Sequence, residues 1–195
     1  MLAAGSGRRY GRPKALVDTG SGPWVQRALA ALDGFDPRLV VVGASGEEVA
    51  TLLPPGVRVV DNPDYPEGIG SSLRVGLRAL LSPPADSPAV DAVLVMLVDL
   101  PRVAGGVVRR VVSAATSQAE AGSQGRERAV RAVLARAGFH GAPGHPVLMG
   151  RDHWSGVIQT AVGDRGARDY LATHRTLLVE CGDIGSGDDV DVPAR

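Results

Sequence analysis

Short runs of consecutive apolar residues alternate along the chain with stretches of helical periodicity. The runs at 39–42 and 92–98 are rich in Val and Leu, which is typical of strands buried on both faces of a parallel sheet. Over 24–32 and 70–82, apolar residues recur every three or four positions, as on one face of an amphipathic helix. Strands that alternate with helices in this way indicate βαβ units. We therefore expect an α/β fold with a mostly parallel sheet.

The same pattern predicts the remaining elements. We expect strands at 1–4, 57–60, 145–149 and 176–180, and helices at 46–53, 104–120, 152–160 and 166–174. Residues 121–128 are polar and predict a loop, whereas 129–135 fit a strand or a helix equally well. No internal repeat or long linker divides the chain, so we interpret residues 1–195 as one domain.

Composition narrows the classes of partner. The chain has 21 Lys and Arg residues against 21 Asp and Glu residues, and this zero net charge argues against a general nucleic-acid or anionic-membrane surface. No apolar run is long enough for a membrane span, and the first residues do not form a signal peptide. A single cysteine, Cys181, excludes an internal disulfide and is typical of a small buried residue. We expect a cytoplasmic protein.

The loop after the first strand concentrates glycine and positive charge. Glycines at 5, 7 and 11 accompany Arg8, Arg9, Arg12 and Lys14, which is the only lysine in the chain. Glycine lets backbone N–H groups approach an anion closely, and guanidinium and ammonium groups add attraction and grip. The loop therefore predicts a polyphosphate site, although its spacing is that of neither Walker A nor G-x-G-x-x-G. A basic surface turn is the alternative.

Asp99 is the single residue for which the sequence pattern predicts the most specific role. It follows seven apolar residues directly and precedes Leu100-Pro101, at the carboxyl edge of the predicted sheet, where such folds bind ligands. A carboxylate there favours a paired cation, and Mg²⁺ on a nucleotide fits this requirement. A turn or helix-capping aspartate is the alternative.

Two further segments carry candidate chemistry. In the tail, Asp189 and Asp191 would lie on one side if the backbone is extended, although on sequence alone a solvated acidic tail explains them better. The turn at 163–168 holds two arginines that suit a second anion, and Asp164 is a candidate cap for the helix that follows. The four histidines share no metal-ligand spacing, so we expect no histidine metal site.

Taken in order, these motifs resemble the MobA-like nucleotidyltransferase family, and its molybdenum-cofactor cytidylyltransferase branch more than its guanylyltransferase branch. The matching residues run through nearly the whole chain: Leu2-Ala3-Ala4-Gly5 with Arg9, Gly11 and Lys14; Val41-Val42-Gly43; Asn62-Pro63 with Gly68 and Ser71-Ser72-Leu73; Asp99-x-Pro101; Gly144-His145-Pro146; Gly163-Asp164-x-Gly166-Ala167-Arg168; and Asp189-Val190-Asp191. Gly7 and Tyr10 replace the usual serine and methionine. The first strand is shortened, and the usual final helix is missing.

The resemblance implies a Rossmann-like three-layer fold of the nucleotide-diphospho-sugar transferase type and a set of site residues. Catalysis would rest on Arg9, Lys14 and Asp99, with Mg²⁺ on Asp99 and Asp191. Nucleotide binding would involve Leu2, Ala3, Ala4, Gly5, Gly7, Lys14, Gly43, Asn62 and Ser72. The acceptor would lie against His145, Asp164 and Arg168.

The implied reaction moves a nucleotidyl group from an NTP to a phosphorylated acceptor and releases pyrophosphate. CTP is preferred because Ala4 is the cytidylyltransferase-like residue, and a molybdopterin-type acceptor is the first expectation. Two alternatives stay open. The segments 144–146, 163–168 and 181–191 are also similar to a family relative described as nicotine blue oxidoreductase, an NAD(P)H-dependent enzyme. The shortened ends also suit a non-catalytic nucleotide-binding partner of a molybdoenzyme.

Overall fold

The computed structural model describes residues 1–85, 87, 89–120 and 125–190. Its strands are β1 (Leu39–Val42), β2 (Arg58–Asp61), β3 (Ala92–Val95), β4 (Leu134–Phe139), β5 (Ala142–Gly150) and β6 (Leu177–Glu180). Its α-helices are α1 (Trp24–Ala30), α2 (Gly46–Thr51), α3 (Ile69–Leu81), α4 (Gly105–Glu120), α5 (Arg126–Arg131), α6 (Trp154–Thr160) and α7 (Arg168–Thr173). Short 3₁₀ helices occupy Lys14–Leu16, Tyr65–Glu67, Arg151–His153 and Gly163–Arg165. The expected alternation of strands and helices is confirmed.

Residues 1–4, the N-terminal segment, join two groups of strands into one sheet. β1 pairs with β2, while β3, β5, β4 and β6 pair in that order. Leu2 bridges both groups, in parallel with Val41 on one side and with Leu97 on the other. Leu2 N–H donates to the Met96 carbonyl at 2.8 Å, and Ala3 N–H donates to the Val41 carbonyl at 2.9 Å. The segment is short, but its backbone makes hydrogen bonds to a neighbouring segment on each of its two edges.

β5 is the exception to the parallel sheet, because it runs antiparallel to both β3 and β4. The cause lies in the turn that joins β4 to β5, where His140 and Gly141 both have positive φ, at 53° and 80°. Two consecutive residues with positive φ form the tight turn of a hairpin, and a hairpin pairs its strands antiparallel. β4 and β6 return to parallel pairing.

Helices cover both faces of this sheet, so the fold has three layers. On one face, α1, α2 and α4 pack their apolar sides around Met96, Val107 and Val111. On the other face, the leucines of α3 pack with Trp154 and Val157 of α6. Alternating strand residues serve the two cores, since Val95 belongs to one and Met96 to the other.

The region between α4 and β4 differs from the sequence-based expectation. The polar stretch 121–128 is predicted as a loop, but α5 begins at Arg126, and residues 121–124 lie outside the described part of the chain. The ambiguous stretch 129–135 divides between the two possibilities, because it contains the end of α5 and the start of β4.

Asn62 fixes the loop that leads from β2 to α3. Its side chain is fully buried, and its Nδ2 donates to the hydroxyls of Ser71 and Ser72, each at 3.0 Å. Its Oδ1 accepts the Asp64 N–H at 3.1 Å. A buried amide costs free energy unless it is hydrogen-bonded, and these partners tie the loop to the first turn of α3.

We expect Asn62→Ala to lower the free energy of unfolding by about 1–3 kcal/mol, because it removes the partner of the buried Ser72 hydroxyl and of the Asp64 N–H. Thermal denaturation followed by circular dichroism, without added ligand, measures this loss. The control is Thr51→Ala, which removes the exposed hydroxyl bond to the Glu48 carbonyl. Equal melting temperatures for the two variants would contradict the assigned role.

Candidate active site

The loop after the N-terminal segment is closed by its own backbone. The Gly7 carbonyl accepts the N–H groups of Tyr10 at 2.9 Å and Gly11 at 2.8 Å. Gly7 has a φ of 63°, and a Cβ atom built on it would lie 1.9 Å from the Arg12 carbonyl oxygen. Position 7 therefore requires glycine on two grounds. Gly5 differs, because a Cβ atom there would meet no atom within 4 Å, which leaves space above the loop.

Lys14 and Asp99 meet at the carboxyl edge of the sheet. Lys14 Nζ donates to Asp99 Oδ2 at 2.9 Å, and the two side chains are 13% and 22% exposed. Lys14 begins the 3₁₀ helix after the loop, and Asp99 follows the extended end of β3. The two residues that sequence analysis selected for charge therefore form one ion pair across 85 residues of chain.

The tail runs back to the same point. Arg110 of α4 donates to the carboxylate of Asp183, which holds the pKa of that carboxyl below its ordinary value. Further along, Val190 N–H donates to the Asp99 carbonyl at 3.3 Å. Asp191, the second expected metal ligand, lies outside the described residues. Its chain neighbour is therefore in contact with Asp99, and its own placement stays a prediction.

Asp99 suits a divalent cation by chemistry, since hard cations bind carboxylate oxygens. Within the described ranges, no group of three or more His, Cys, Asp or Glu side chains is arranged to hold a metal ion. A metal at Asp99 would therefore need ligands from the nucleotide, from water or from residues beyond Val190.

The remaining residues expected at the nucleotide lie around the same edge. Leu2, Ala3 and Ala4 form the N-terminal segment, and the Ala4 carbonyl accepts the Ala44 N–H at 3.1 Å, beside Gly43. Ser72 is buried and its hydroxyl accepts a hydrogen bond from Asn62 Nδ2, so both side chains are bonded within the protein. Arg9 is exposed in the turn of the loop.

Tyr65 is a contact that sequence analysis missed. A Cβ atom at Gly43 would lie 2.7 Å from the Tyr65 ring, so only glycine lets the ring pack against this backbone. Tyr65 is half-buried at the start of a 3₁₀ helix. A single aromatic residue in a Pro-rich loop has no periodic signal, and nothing in the sequence marked it.

His145 and Arg136 form the other side of the site, on the β4–β5 hairpin. Arg136 Nε and Nη2 donate to the Gly144 carbonyl at 3.2 and 3.1 Å. Burial and the neighbouring Arg168 lower the pKa of the Arg136 guanidinium. Sequence analysis selected His145 and Arg168 but missed Arg136. A single charged residue next to a stretch that fits a strand or a helix equally well carries no motif.

Asp164 packs against the loop before α3. A Cβ atom at Gly68, whose φ is 104°, would lie 2.6 Å from Asp164 Oδ1. The alternative role of Asp164 as a helix cap is wrong, since α7 begins after Ala167 and has no side-chain cap. Arg168 is the first residue of α7 and is exposed.

Burial and the nearby Arg136 lower the pKa of His145 to about 4, although Asp99 acts in the opposite direction. The imidazole is therefore neutral at neutral pH. Arg136 of β4 and Asp99, four residues beyond the end of β3, therefore both act on His145 of β5.

Comparison with known proteins identifies the family. The family model of the MobA-like NTP transferase domain matches residues 1–177. The chain belongs to this family. A 91-residue stretch is 43% identical to the bifunctional IPC transferase and DIPP synthase of Rubrobacter xylanophilus; it covers 41% of this chain and 20% of that protein. The chain thus matches about a fifth of that curated relative.

Solved structures share the fold. An Rv0371c homologue from Mycobacterium sp. strain JC1 is 25% identical with a TM-score of 0.72, covering 98% of this chain and 88% of that chain. Rv0371c of Mycobacterium tuberculosis H37Rv in complex with manganese is 22% identical with a TM-score of 0.68, covering 92% and 84%. These likenesses confirm the expected Rossmann-like α/β architecture. Among the described residues, no helix is long and apolar enough to cross a membrane.

We expect Gly7→Ala to destabilise the protein and Gly5→Ala to leave its melting temperature unchanged. Only the first variant forces a side chain into the left-handed region and into the Arg12 carbonyl, at a cost of about 1–3 kcal/mol. Thermal denaturation without ligand compares them. A similar loss for both variants would show that the loop does not hold the described conformation.

We expect stability to fall as the pH drops from about 6.5 towards 4, because His145 binds a proton in the unfolded chain but not in the folded one. Above this window His145 contributes no pH dependence. Urea denaturation at pH 7 and at pH 5 measures the effect, and His145→Gln should show a smaller loss between the two values. An equal loss in both proteins would disprove the assignment.

Proposed function

We propose that this protein transfers a nucleotidyl group from an NTP, with CTP preferred, to a phosphorylated acceptor and releases pyrophosphate. The observation that carries this proposal is the Lys14–Asp99 ion pair, which brings the glycine-rich loop to the carboxylate at the end of β3. Family membership supports the reaction class. The preference for CTP rests on Ala4.

The loop and its cations would bind the triphosphate. The space above Gly5 admits phosphate oxygens, and backbone N–H groups of a glycine-rich loop are suitable donors for them. Lys14 and Arg9 would stabilise the negative charge that develops on the departing pyrophosphate. Lys14 pairs with Asp99 in the absence of ligand. On nucleotide binding, Lys14 would exchange this carboxylate partner for the phosphate oxygens.

We assign Asp99 and Asp191 to a divalent cation, Mg²⁺ or Mn²⁺. When bound, the cation supplies positive charge beside the α-phosphate. The manganese complex of Rv0371c concerns a relative with the same fold and supports the choice of ion class. The contact between Val190 and the Asp99 carbonyl supports a place for Asp191 in this ligand set.

Tyr65 and Gly43 would flank the base. The tyrosine ring packs on the Gly43 backbone and is half-buried, so a base entering beside it would stack on an aromatic surface. Asn62 and Ser72, which are bonded to each other, would hold this wall rigid. Their assigned role is therefore positioning.

The acceptor would bind between the hairpin and α7. Arg136 and Arg168 lie close enough for Arg168 to lower the pKa of Arg136, and two such cations favour a phosphate group. In the proposed step, an acceptor phosphate oxygen forms a bond to the α-phosphorus while the bond from that phosphorus to the bridging oxygen of pyrophosphate breaks. Neutral His145 would orient the acceptor. A molybdopterin-type acceptor is our first candidate.

We expect CTP with MgCl₂ or MnCl₂ to raise the melting temperature more than either component alone. Lys14→Ala and Asp99→Ala should each abolish this increase, because each removes one half of the charge arrangement around the triphosphate. The control is Arg38→Ala, which breaks the exposed Arg38–Asp33 pair outside the site. No shift with any of the four NTPs would disprove the proposal.

Pyrophosphate release separates the proposal from its alternatives. With CTP, a divalent cation and phosphorylated pterin acceptors, we expect pyrophosphate from the wild-type protein and a loss of at least about 100-fold in Arg136→Ala if Arg136 holds the acceptor. Binding of NTP without release from any acceptor would favour a non-catalytic partner. Oxidation of NADPH by a quinoid dye would favour the oxidoreductase.

A further inference from the structure

A cavity of ≈ 360 Å³ lies between α1 and the segment 98–105, and none of the residues assigned to the nucleotide lines it. Its wall includes Trp24 and Ala28 of α1 and Leu100 and Val103 from the segment after β3, and all four side chains are buried. Cavities of this volume are in the range that binds small organic molecules. The wall predicts a ligand with an apolar body.

The charge around this cavity has one sign. Arg27 lines it, and none of its lining residues is acidic. Arg27 Nη2 donates to the Pro101 carbonyl at 3.3 Å, and the ion pairs found among the described residues include neither Arg27 nor Arg109. Arg109 lies beside the cavity, since its Nη1 would be 3.0 Å from a Cβ atom at Gly105.

The ligand chemistry follows from this combination. Two guanidinium groups without carboxylate partners favour an anion, and the small alanines and glycine at the wall leave room for an aliphatic or aromatic body. The Trp24 Nε1 has no hydrogen-bond partner among the described residues, but the protein covers it, so Arg27 is the side-chain donor that the cavity wall offers to a ligand.

We propose that this cavity is a binding site for a small organic carboxylate whose apolar body packs against Trp24 and whose carboxylate binds Arg27. The site is separate from the proposed nucleotide site and does not depend on the proposed reaction. The cavity nevertheless adjoins the proposed nucleotide site at two points. The centroids of the Trp24 and Tyr10 rings, the latter in the glycine-rich loop, lie 5.5 Å apart, and Arg27 binds the carbonyl of Pro101, two residues after Asp99.

The test uses 4-phenylbutyrate as the probe and its uncharged analogue 4-phenylbutanol as the matched ligand control. Because Trp24 lines the cavity, we expect saturable quenching of tryptophan fluorescence by the carboxylate and a rise in melting temperature. The alcohol should bind at least about tenfold more weakly, since it lacks the ionic contact. This comparison uses only the wild-type protein.

A substitution at Arg27 then tests whether this residue binds the carboxylate of the probe. Arg27→Gln should weaken 4-phenylbutyrate binding by about tenfold and leave binding of 4-phenylbutanol unchanged. The control is Arg78→Gln, which changes an exposed arginine on α3 and should alter neither. Absence of saturable binding, equal affinity for acid and alcohol, or an unchanged affinity in a folded Arg27→Gln protein would each overturn the proposal.

Discussion

The fold depends on a few backbone hydrogen bonds made by residues 1–4. This segment satisfies donors and acceptors on both of its edges, with β1 on one side and the extension of β3 on the other. Without it, β1 and β2 would form a sheet separate from the rest. Because the glycine-rich loop begins where this segment ends, the same bonds also set the position of the loop at the edge of the sheet.

The Lys14–Asp99 pair is a consequence of that arrangement. Two residues 85 positions apart meet because their strands are neighbours in the sheet and point the same way. Partial burial strengthens their attraction relative to an exposed pair and makes an unpaired partner costly. A preformed pair of this kind gives the half-buried Asp99 carboxylate a counter-charge until another cation reaches it.

The sequence predicted most of what depends on periodicity or on strong local chemistry. Valine runs identified β1 and β3, and the motif Asp99-Leu100-Pro101 identified the end of a buried strand. Tyr65 and Arg136 escaped detection because one aromatic or charged side chain in a loop or strand has no repeating neighbour. The Asn62-Pro63 motif predicts a place for Asn62 at the nucleotide, but it does not predict the bonds from the buried amide to Ser71 and Ser72, because these depend on tertiary packing.

The antiparallel hairpin of β4 and β5 separates two groups of proposed site residues. Residues assigned to the nucleotide come from the N-terminal segment, β1, the start of α3 and the end of β3, whereas Arg136 and His145 come from the hairpin. A hairpin is a local unit closed by its own two-residue turn. On the proposed assignment, changes in the exposed residues of the hairpin would alter recognition of the acceptor and leave the nucleotide-binding residues in place.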